Sequence, residues 1–546
     1  MRNFTHVWLK ASIPVAFFAA GLFLTFYPTL MSGFTKLQTD PGDSRSLNYR
    51  LEHIYLWQTS DPNHTSLWNP PIFYPSRNVL AYSDTLLTLA PIYSAWRFLG
   101  YSPEISFSLW MFSLCFLNYL IAMVLLYRGI GTGWLAAAFG AYIIAFGNSR
   151  VAQLGHQALL SHAFVLSAIY ALLMIFGPVT AGSQSGQESK LRKRIWVIAF
   201  FLFFAAQFYA GFYTGYFLFL VVLIAAIWAV CLKRFRLAFL GFLRAEWPTV
   251  ACGCLLAVVL LAPLAHHYLL TAQELGFFGG NKRGMARLAS YIWMGRENLL
   301  YGWTADLTIF NIRLFDISMA NEQKWGLGLA TTFVLIWFFW QYGKKLWVQL
   351  MLLIIITTIV AFTYFPGKIY LWKVWYYTLP GIRGIRVLAR INMLLLIPAG
   401  IALAVFVSRY QEHKGKLVLA IAVALLCCLE QVSEPNFYDS ELYRRRVQTV
   451  VQHLSDDCEA FFLSELYPQK PQWVSQLDSI WASLLSGVPS ITGYSGKFPH
   501  NDAIRNPAVH EAIDLERIDK GIDEWCSEKG INRERICWLK LELPNE

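Results

Sequence analysis

Two carboxylates, Asp40 and Asp43, lie three residues apart directly after the first apolar segment of the chain. The Pro-Gly pair between them predicts a turn. A carboxylate beside a membrane can accept the proton of a hydroxyl group that attacks an electrophilic carbon, and loss of water there would raise its pKa. We therefore treat Asp43, and after it Asp40, as candidate general bases. The alternative is a turn whose carboxylates only bond local N–H groups and cap a surface helix.

Three arginines further along the chain, Arg383, Arg386 and Arg390, form the second candidate group. In a helix that begins near residue 380, their spacing places all three on one face. Guanidinium groups at a membrane surface can bind a phosphate or diphosphate and neutralise its charge as the bond to it breaks. Contact with lipid headgroups is the alternative. Substrate binding is favoured because cations in this short outer loop oppose the charge bias of membrane proteins and are costly beside a span.

Further polar residues are candidates for substrate binding. Glu52 and His53 belong to the same loop as the two aspartates, and His156 lies in a short turn between two apolar segments. His156 could contact substrate or position a cation, although a lone histidine in a turn more often has a structural role. Tyr82 and Asp84 close a stretch rich in proline and aromatic residues that could stack on a sugar ring or a prenyl chain. In the structural alternative, Asp84 caps the surface helix that follows it.

The composition indicates where these residues must lie. The 546 residues are 56% hydrophobic and 14% charged, whereas soluble proteins are about 25% charged. Most of the chain must therefore lie in a lipid bilayer. The net charge of +11 is spread over short loops between apolar segments, which is typical of orientation signals and lipid contact rather than of nucleic-acid binding. A soluble nucleotide-driven enzyme has no support, because the sequence contains no phosphate-binding loop, dinucleotide fingerprint or HExxH motif.

Eleven apolar segments are predicted to span the membrane as helices. The first, Ile13 to Met31, is long enough to cross, and no signal-peptide cleavage site follows it. Its basic flank places the N-terminus in the cytoplasm. The other spans are predicted at 104–127, 133–147, 158–176, 195–209, 212–232, 247–270, 325–342, 346–364, 391–408 and 417–432.

The first outer loop, residues 32–103, is predicted to carry two helices that lie on the membrane surface. Ser46 to Trp57 places Leu51 and Ile54 on one side. Thr85 to Leu99 has 15 residues, and its position decides the topology. If it lies flat, the four strongly basic loops of the chain all fall on the cytoplasmic side, as short basic loops should. We therefore predict that it does not cross the membrane.

From Ser433 the composition becomes that of a soluble protein, and an odd number of spans places this tail outside the cytoplasm. We predict two domains, a membrane domain of residues 1–432 and a small α/β domain of residues 433–546. The predicted elements of the tail are helices at 441–454, 473–486 and 509–529 and strands at 458–464 and 535–543. One disulfide could form among Cys458, Cys526 and Cys537, and the sequence leaves the pairing open.

With these elements in place, the chain resembles the GT-C superfamily of integral-membrane glycosyltransferases, near its bacterial YfhO-like and protein-mannosyltransferase-like groups. The resemblance covers essentially the whole chain. It rests on the acidic first loop, on Ile72-Phe73-Tyr74-Pro75 and Tyr82-Ser83-Asp84, on Leu379-Pro380-Gly381 with the arginines after it, and on Gly493-Tyr494-Ser495-Gly496 in the tail. It implies many spans, a large first outer loop, a polyprenyl-phosphate sugar as donor, and an outer tail whose role is acceptor binding or unknown.

In this family an aspartate of the first loop is usually the base or a cation ligand. The resemblance places that role on Asp43, and less directly on Asp40. The two aspartates are separated by two residues, which departs from the adjacent acidic pair of many members. A divalent cation is therefore left open as a cofactor, and no metal ligands are assigned.

Residues and resemblance together predict an α-helical polytopic protein of the bacterial inner membrane with a GT-C-like fold. It would move a sugar, with inversion, from a polyprenyl-phosphate donor to a glycan, lipid or protein acceptor of the cell envelope. Asp43 would be the general base. Two alternatives stay open: a transporter or flippase for a lipid-linked sugar, and a polymerase or ligase with a lipid-diphosphate donor. A flippase would tolerate Asp43→Asn, whereas a transferase would lose turnover and keep donor binding.

Overall fold

Long apolar helices dominate the structure, a computed structural model that describes residues 2–177, 186–278, 282–309, 312–313, 319, 322–455 and 457–545. Within these ranges, seven helices are long and apolar enough to cross a membrane. They are Ser12–Met31, Pro103–Ile130, Gln157–Phe176, Lys190–Ala210, Phe212–Cys231, Lys233–Leu275 and Leu388–Tyr410. The chain is therefore an α-helical integral membrane protein, as its composition predicts.

The other four predicted spans coincide with shorter helices, Trp134–Phe146, Leu329–Tyr342, Leu346–Phe362 and Lys414–Leu429. These contain 13 to 17 residues, which corresponds to about 20–26 Å of helix at 1.5 Å per residue. The hydrocarbon core of a bilayer is about 30 Å thick. A helix therefore lies at every predicted span, and seven of the eleven reach spanning length.

Small residues allow the helices at the centre of the bundle to approach closely. Helix Trp134–Phe146 packs against helix Leu396–Tyr410, and a Cβ atom added at Gly140 would lie 2.4 Å from the carbonyl oxygen of Gly400. Neither glycine can be replaced without moving the helices apart, which is typical of membrane helix contacts.

The outer turn that follows helix Trp134–Phe146 is held by a buried arginine. Arg150 is 1% exposed, and its guanidinium donates to the carbonyl oxygens of Ile144 and Leu160, each at 2.9 Å. The Leu160 carbonyl also accepts a 2.8 Å hydrogen bond from the Asn118 amide. These bonds, on both sides of the turn that carries His156, hold the turn against the bundle.

The first outer loop contains a helix at Asp43–Gln58, which we call the loop helix. Its predicted apolar face is confirmed, since Leu51 and Ile54 pack into the core of the helix bundle. That it lies on the membrane surface stays a prediction, but its polar residues are also buried, some of them under the C-terminal tail. Arg45, for example, donates to Asp478 of the tail at 2.8 Å. The loop helix is thus enclosed between two layers.

The second predicted surface helix is shorter than expected. It extends over Ala90–Phe98, nine residues, or about 14 Å. A helix of this length cannot cross a bilayer, so the prediction that this segment does not span is confirmed. The connection before it turns at Leu86, whose φ of +57° is incompatible with a right-handed helix.

The C-terminal tail has the predicted α/β structure. Its elements are helices Ser440–Gln452, Trp473–Ser486, Asp502–Arg505 and Ala512–Lys529 and strands Ala460–Glu465 and Ile536–Leu541. The two strands are parallel, with Ala460 opposite Ile536 and Glu465 opposite Leu541. A disulfide joins Cys458 to Cys537, and Cys526 is a buried thiol, which settles the pairing that the sequence leaves open.

The tail and the first outer loop share one hydrophobic core. Ile72, Phe73 and Tyr82 of the loop pack with Phe461 and Trp525 of the tail. A short antiparallel pairing, Lys36–Leu37 with Tyr438–Asp439, also joins the two segments. The two parts form a single outer layer over the membrane helices, and the domain boundary at residue 432 stays a prediction.

Candidate functional site

A cavity of about 450 Å³ lies where the outer layer meets the membrane helices. It collects six of the residues that the sequence analysis selects, namely Asp43, Tyr82, Asp84, His156, Arg386 and Arg390. They come from four separate parts of the chain, and Tyr494 to Lys497 of the tail complete the wall. We call this space the main cavity. The structure therefore brings the first-loop carboxylate and two of the three arginines to one place.

Asp43 is the first residue of the loop helix, where the helix dipole favours a negative charge. One carboxylate oxygen lies 2.5 Å from Nδ1 of His156, and the other accepts a hydrogen bond of 3.0 Å from the Tyr494 hydroxyl. The side chain is 35% exposed, so it still opens to the cavity. Its orientation is set by two partners that are far away in the sequence.

His156 continues this contact to a second carboxylate. Its Nε2 lies 2.9 Å from an oxygen of Glu322. Glu322 in turn accepts two hydrogen bonds from the Arg390 guanidinium, at 2.6 and 2.9 Å. Asp43, His156, Glu322 and Arg390 thus form a connected row, which we call the charged quartet. With both ring nitrogens of His156 facing carboxylates, a protonated imidazole satisfies them both.

The charges of the quartet stabilise one another. Burial raises the pKa of Asp43, but the hydrogen bond and charge of His156, with the Tyr494 hydroxyl, outweigh burial and lower the pKa. Burial and Arg390 lower the pKa of His156, but hydrogen bonds to both carboxylates raise it above its usual value. The expectation of a raised pKa for Asp43 is therefore wrong, because the sequence does not reveal its pairing with a histidine.

Of the two aspartates of the turn, Asp40 is the one with the raised pKa. Its burial and the nearby charge of Asp43 raise the pKa, although the Gly42 amide donates to it at 2.8 Å. Asp40 does not line the main cavity but a second, polar cavity of about 230 Å³. His156 and Glu322 line this second cavity as well. His156 thus separates the two spaces.

The chain passes Asp40 so closely at Gly155 that no side chain fits there. A Cβ atom at Gly155 would lie 2.8 Å from a carboxylate oxygen of Asp40. A glycine next to His156 therefore lets the outer turn and the first loop meet. This contact explains why a glycine precedes His156 in the sequence.

The helix predicted near residue 380 does not form. Gly381 has a φ of +80°, a short 3₁₀ turn follows at Ile382–Gly384, and a second one begins only at Leu388. The chain between the turns is extended at Ile385 and Val387. The prediction that the three arginines share a helical face is therefore wrong.

The three arginines have separate environments. Arg383 lies outside the main cavity, over the rings of Phe277, Tyr376 and Tyr377 at 5.3–5.9 Å. Arg390 is buried and paired with Glu322. Arg386 is exposed and lines the cavity. Only Arg386 and Arg390 thus lie where a ligand of the cavity could meet them.

Glu52 and His53 do not reach the cavity. Glu52 accepts hydrogen bonds from Arg97 at 2.8 and 2.9 Å and from Tyr93 at 2.6 Å. His53 lies 2.7 Å from the buried His64 through their Nδ1 atoms, and burial with this neighbour lowers its pKa to about 3. Both residues hold the loop helix in place, and the structure does not bring them to the substrate side.

Tyr82 and Asp84 line the cavity, but the predicted capping role of Asp84 is wrong. Asp84 accepts a 2.7 Å hydrogen bond from the Phe212 amide, the first residue of helix Phe212–Cys231, rather than from the segment that follows it. It thus joins the first loop to a membrane helix. Burial raises the pKa of Tyr82 to about 12, so this hydroxyl stays protonated.

Glu322, Arg50 and Lys497 are site residues that the sequence analysis misses, and Tyr494 enters it only through the family motif in the tail. Glu322 lies just before a predicted span, where the only local signal is a carboxylate in a short polar stretch. Arg50 is recognisable only as the polar side of the loop helix. Their partners are more than 60 residues away in the sequence, so no local spacing could reveal them.

The oxygens of the quartet do not fit a divalent cation as they are arranged. Asp43 is bonded by His156 and Tyr494, and Glu322 by His156 and Arg390. No group of three or more histidine, cysteine or acidic side chains that could hold a metal ion occurs in the described ranges. Each of these carboxylate oxygens already accepts a hydrogen bond, and the imidazole and guanidinium cations beside them would repel a divalent cation.

Comparison with known proteins finds a shared fold but no close relative. The sequence matches no protein-family model and no curated protein. The oligosaccharyltransferase AglB of Archaeoglobus fulgidus, solved with an inhibitory peptide and a dolichol-phosphate, has a TM-score of 0.52 and 11% identity over 95% of this chain and 69% of that one. Its apo form has a TM-score of 0.51 and 12% identity over 89% of this chain.

This chain spans 64% of the length of that apo oligosaccharyltransferase chain. ArnT of Cupriavidus metallidurans is also similar, with a TM-score of 0.47 and 11% identity over 96% of this chain and 91% of that one. At these identities, the likeness to the oligosaccharyltransferase shows the fold alone. The YfhO-like and protein-mannosyltransferase-like subgroups stay predictions.

Proposed function

We propose that this chain, a helical membrane protein with the fold of the GT-C glycosyltransferases, transfers a sugar from a polyprenyl-phosphate donor to an extracytoplasmic acceptor. The observation that carries the proposal is the composition of the main cavity. A carboxylate with an ordered orientation, cations such as Arg386 that form no ion pair with a described residue, and an apolar wall border the same space. A flippase would need the cations and the wall, but not a carboxylate held by two hydrogen bonds.

The apolar wall suits a prenyl chain. It is formed largely by the long helix Lys233–Leu275, with Leu261, Leu264 and Leu269 toward the cavity. Earlier in the same helix, Leu255 and Val258 are 64% and 65% exposed, as expected of residues that face lipid. One helix thus contributes to the cavity wall and also exposes apolar residues, so a lipid tail can lie against it while its phosphate reaches the arginines.

The reaction is a displacement at the anomeric carbon of the donor. The acceptor hydroxyl oxygen forms a bond to that carbon as the bond from carbon to phosphate oxygen breaks, which inverts the configuration. The phosphate leaves with the electron pair, and the hydroxyl proton passes to the Asp43 carboxylate. Arg386 and Arg390 neutralise the charge that develops on the leaving phosphate.

The low pKa of Asp43 agrees with this role in one respect. A general base must be ionised, and His156 keeps this carboxylate ionised at neutral pH. The same pairing makes it a weaker base, so catalysis would depend on its fixed geometry more than on its basicity. His156 and Tyr494 act as positioning residues in this scheme.

The acceptor would approach from the second cavity, on the other side of His156. This space is lined by polar groups such as Asn148, Lys324 and Asn436, which suit a hydroxyl-bearing acceptor. Glycans, lipids and proteins all carry such groups. The nature of the sugar and of the acceptor is not part of the proposal.

The proposal is tested with purified full-length protein and radiolabelled polyprenyl-phosphate sugars. Asp43→Asn should reduce the turnover number by roughly 10²–10⁴-fold, the usual contribution of a general base, and leave donor binding within about twofold. Asp519→Asn, on an exposed part of the tail, is the matched control and should retain full turnover. Unchanged turnover in Asp43→Asn, or no turnover by the wild-type protein with any common sugar, would sink the proposal and favour a flippase.

A further inference from the structure

Arg50 of the loop helix is a buried cation without a carboxylate partner. It is 5% exposed and lines the main cavity, and its guanidinium donates to the Ser495 hydroxyl at 3.0 Å. Within the described ranges it forms no ion pair. A buried charge is costly unless it is paired, so its position on the wall of a cavity needs an explanation.

Among the described residues, four other arginines are buried, and three of them are paired with carboxylates; the fourth, Arg150, bonds backbone carbonyls and His162 and does not line the main cavity. Arg45 is bound to Asp478, Arg390 to Glu322, and Arg446 to both Asp478 and Glu465. Asp43 and Asp84 influence the charge of Arg50 from a distance but do not bond it. The missing partner of Arg50 is therefore expected to be an anion that enters the cavity.

A second cation reaches the same wall from the soluble tail. Lys497 lies two residues after Ser495, and its ammonium group donates to the Gly276 carbonyl and lies 5.5 Å from the Phe278 ring. In the described part of the chain it has no carboxylate within ion-pair distance. Burial lowers the pKa of Lys497, a cost that a bound anion would remove.

The tail segment packs closely against the first loop at this wall. A Cβ atom at Gly496 would lie 3.1 Å from the Tyr82 carbonyl oxygen, and Tyr494 bonds Asp43 at 3.0 Å. Ser495 is 7% exposed. The cations of the tail and of the loop helix are thus fixed relative to the catalytic carboxylate.

We propose that Arg50, Ser495 and Lys497 form a phosphate-binding subsite of the main cavity, so that the soluble tail binds the donor. The identity of the ligand as a polyprenyl phosphate rests on the proposed function. Arg386 and Arg390 line the same cavity, so the phosphate meets cations from the tail and loop as well as from the membrane domain. The charge of Arg390 is already used by Glu322, which makes the unpaired cations the stronger anion binders.

The test measures binding to the full-length protein in nanodiscs, with undecaprenyl phosphate as the probe. Lys497→Gln and Arg50→Gln should each weaken binding about tenfold, which corresponds to about 1.4 kcal/mol. Lys497→Arg keeps the charge and should restore most of the affinity. Lys540→Gln is the control, because this tail lysine is exposed and lies over Trp538 at 3.7 Å, away from the cavity. If Arg50→Gln does not fold, the Lys497→Gln variant still tests the proposal, because Lys497 is only half-buried.

Two further probes identify what the subsite binds. Undecaprenol, which has the chain but no phosphate, should bind equally to wild type and variants. Phosphatidylglycerol should bind weakly and without a difference between them. The subsite would be overturned if Lys497→Gln bound undecaprenyl phosphate as the wild type does. It would also be overturned if the variant lost affinity for undecaprenol or for phosphatidylglycerol to the same extent as for undecaprenyl phosphate.

The outcome is independent of catalysis. If the wild-type protein transfers no sugar but the charge variants lose phosphate binding, the subsite stands and the proposed transfer fails. If transfer occurs but the variants bind the lipid phosphate normally, the proposed transfer stands and the subsite fails.

Discussion

At the scale of single residues, His156 determines the state of the site. It is the link between Asp43 and Glu322, and it lies between the two cavities. Burial normally raises the pKa of a carboxylate. Here the contact with His156 lowers the pKa of Asp43 instead. The same residue therefore controls both the orientation and the charge of the proposed base.

The first prediction concerns the pH dependence of transfer by a His156→Gln variant. In the wild type the pKa of Asp43 is lowered, so the carboxylate is ionised above that value and activity is lost only as the pH falls through it. Without the histidine, burial becomes the dominant effect and the pKa of Asp43 rises. The acid limb of kcat/KM, which in the wild type lies below the ordinary aspartate pKa of 3.8, should therefore move upward into the measured range of about pH 4 to 8.

The exposed His453 of the tail provides the control, since His453→Gln should leave the profile unchanged. A His156→Gln profile with the wild-type acid limb and only a lower maximum would contradict the role given to this histidine. Such a result would indicate that His156 supports the structure of the turn without setting the charge of Asp43.

The sequence predicts part of this site because some of its chemistry is local. Asp43 follows a span directly, and Arg386 and Arg390 stand beside another one, so membrane proximity alone suggests them. Glu322 and Tyr494 reach Asp43 or His156 across at least 166 residues, and no spacing rule connects such positions. The three-arginine face fails because the chain is extended at Ile385 and Val387, between Arg383 and Arg390, which interrupts the helical spacing.

At the scale of elements, the tail helix Trp473–Ser486 holds the loop helix in place. Asp478 accepts hydrogen bonds from Arg45 at 2.8 Å and from Arg446 at 2.7 Å, and all three side chains are at most 7% exposed. The Trp481 ring also donates to the Arg45 carbonyl at 3.2 Å. This buried network sets the position of the tail against the residue that begins the loop helix, Asp43.

The second prediction is that Asp478→Asn destabilises this contact strongly. It leaves the buried guanidinium groups of Arg45 and Arg446 without full compensation, a change that typically costs about 3–5 kcal/mol. The midpoint of thermal unfolding in detergent should fall by several degrees. Asp502→Asn is the matched control. The Asp502 side chain, which pairs with Arg517, is 65% exposed, so this ion pair should contribute less than about 1 kcal/mol to stability.

Equal midpoints for the two variants would contradict the prediction, and the docking of the tail would then rest on the shared apolar core alone.

The elements in this contact differ in how well the sequence predicts them. Helix Trp473–Ser486 has the predicted bounds because its apolar period is regular. The segment from Thr85 loses its first turn to the positive φ of Leu86, a backbone feature that an apolar pattern does not contain.

At the scale of the whole molecule, the first loop and the tail act as one outer layer over the helix bundle. The layer is joined by a common core, by a short strand pairing and by the cavity residues from both parts. Composition changes sharply at residue 433, so the sequence predicts two domains. Shared packing between distant segments is not visible in composition, and the joint layer therefore could not be predicted.

The orientation of this layer in the membrane is a proposal that follows from span counting and charge. The basic loops lie on one side of the bundle if the segment near residue 90 does not cross, and its length of nine residues agrees. The tail then lies outside the cytoplasm, where the Cys458–Cys537 disulfide is stable. The donor cavity would open at the same outer surface.

The third prediction tests this orientation by thiol labelling of intact cells. Glu516→Cys places a thiol on an exposed part of the tail, and Glu412→Cys places one in a loop between two membrane helices. A membrane-impermeant maleimide should label the first directly and the second only after the membrane is permeabilised. The wild-type chain, whose Cys231, Cys252 and Cys254 are exposed on membrane helices, gives the background. Labelling of both sites from outside would mean that the number of crossings between them is even, and the reverse pattern would turn the cavity toward the cytoplasm.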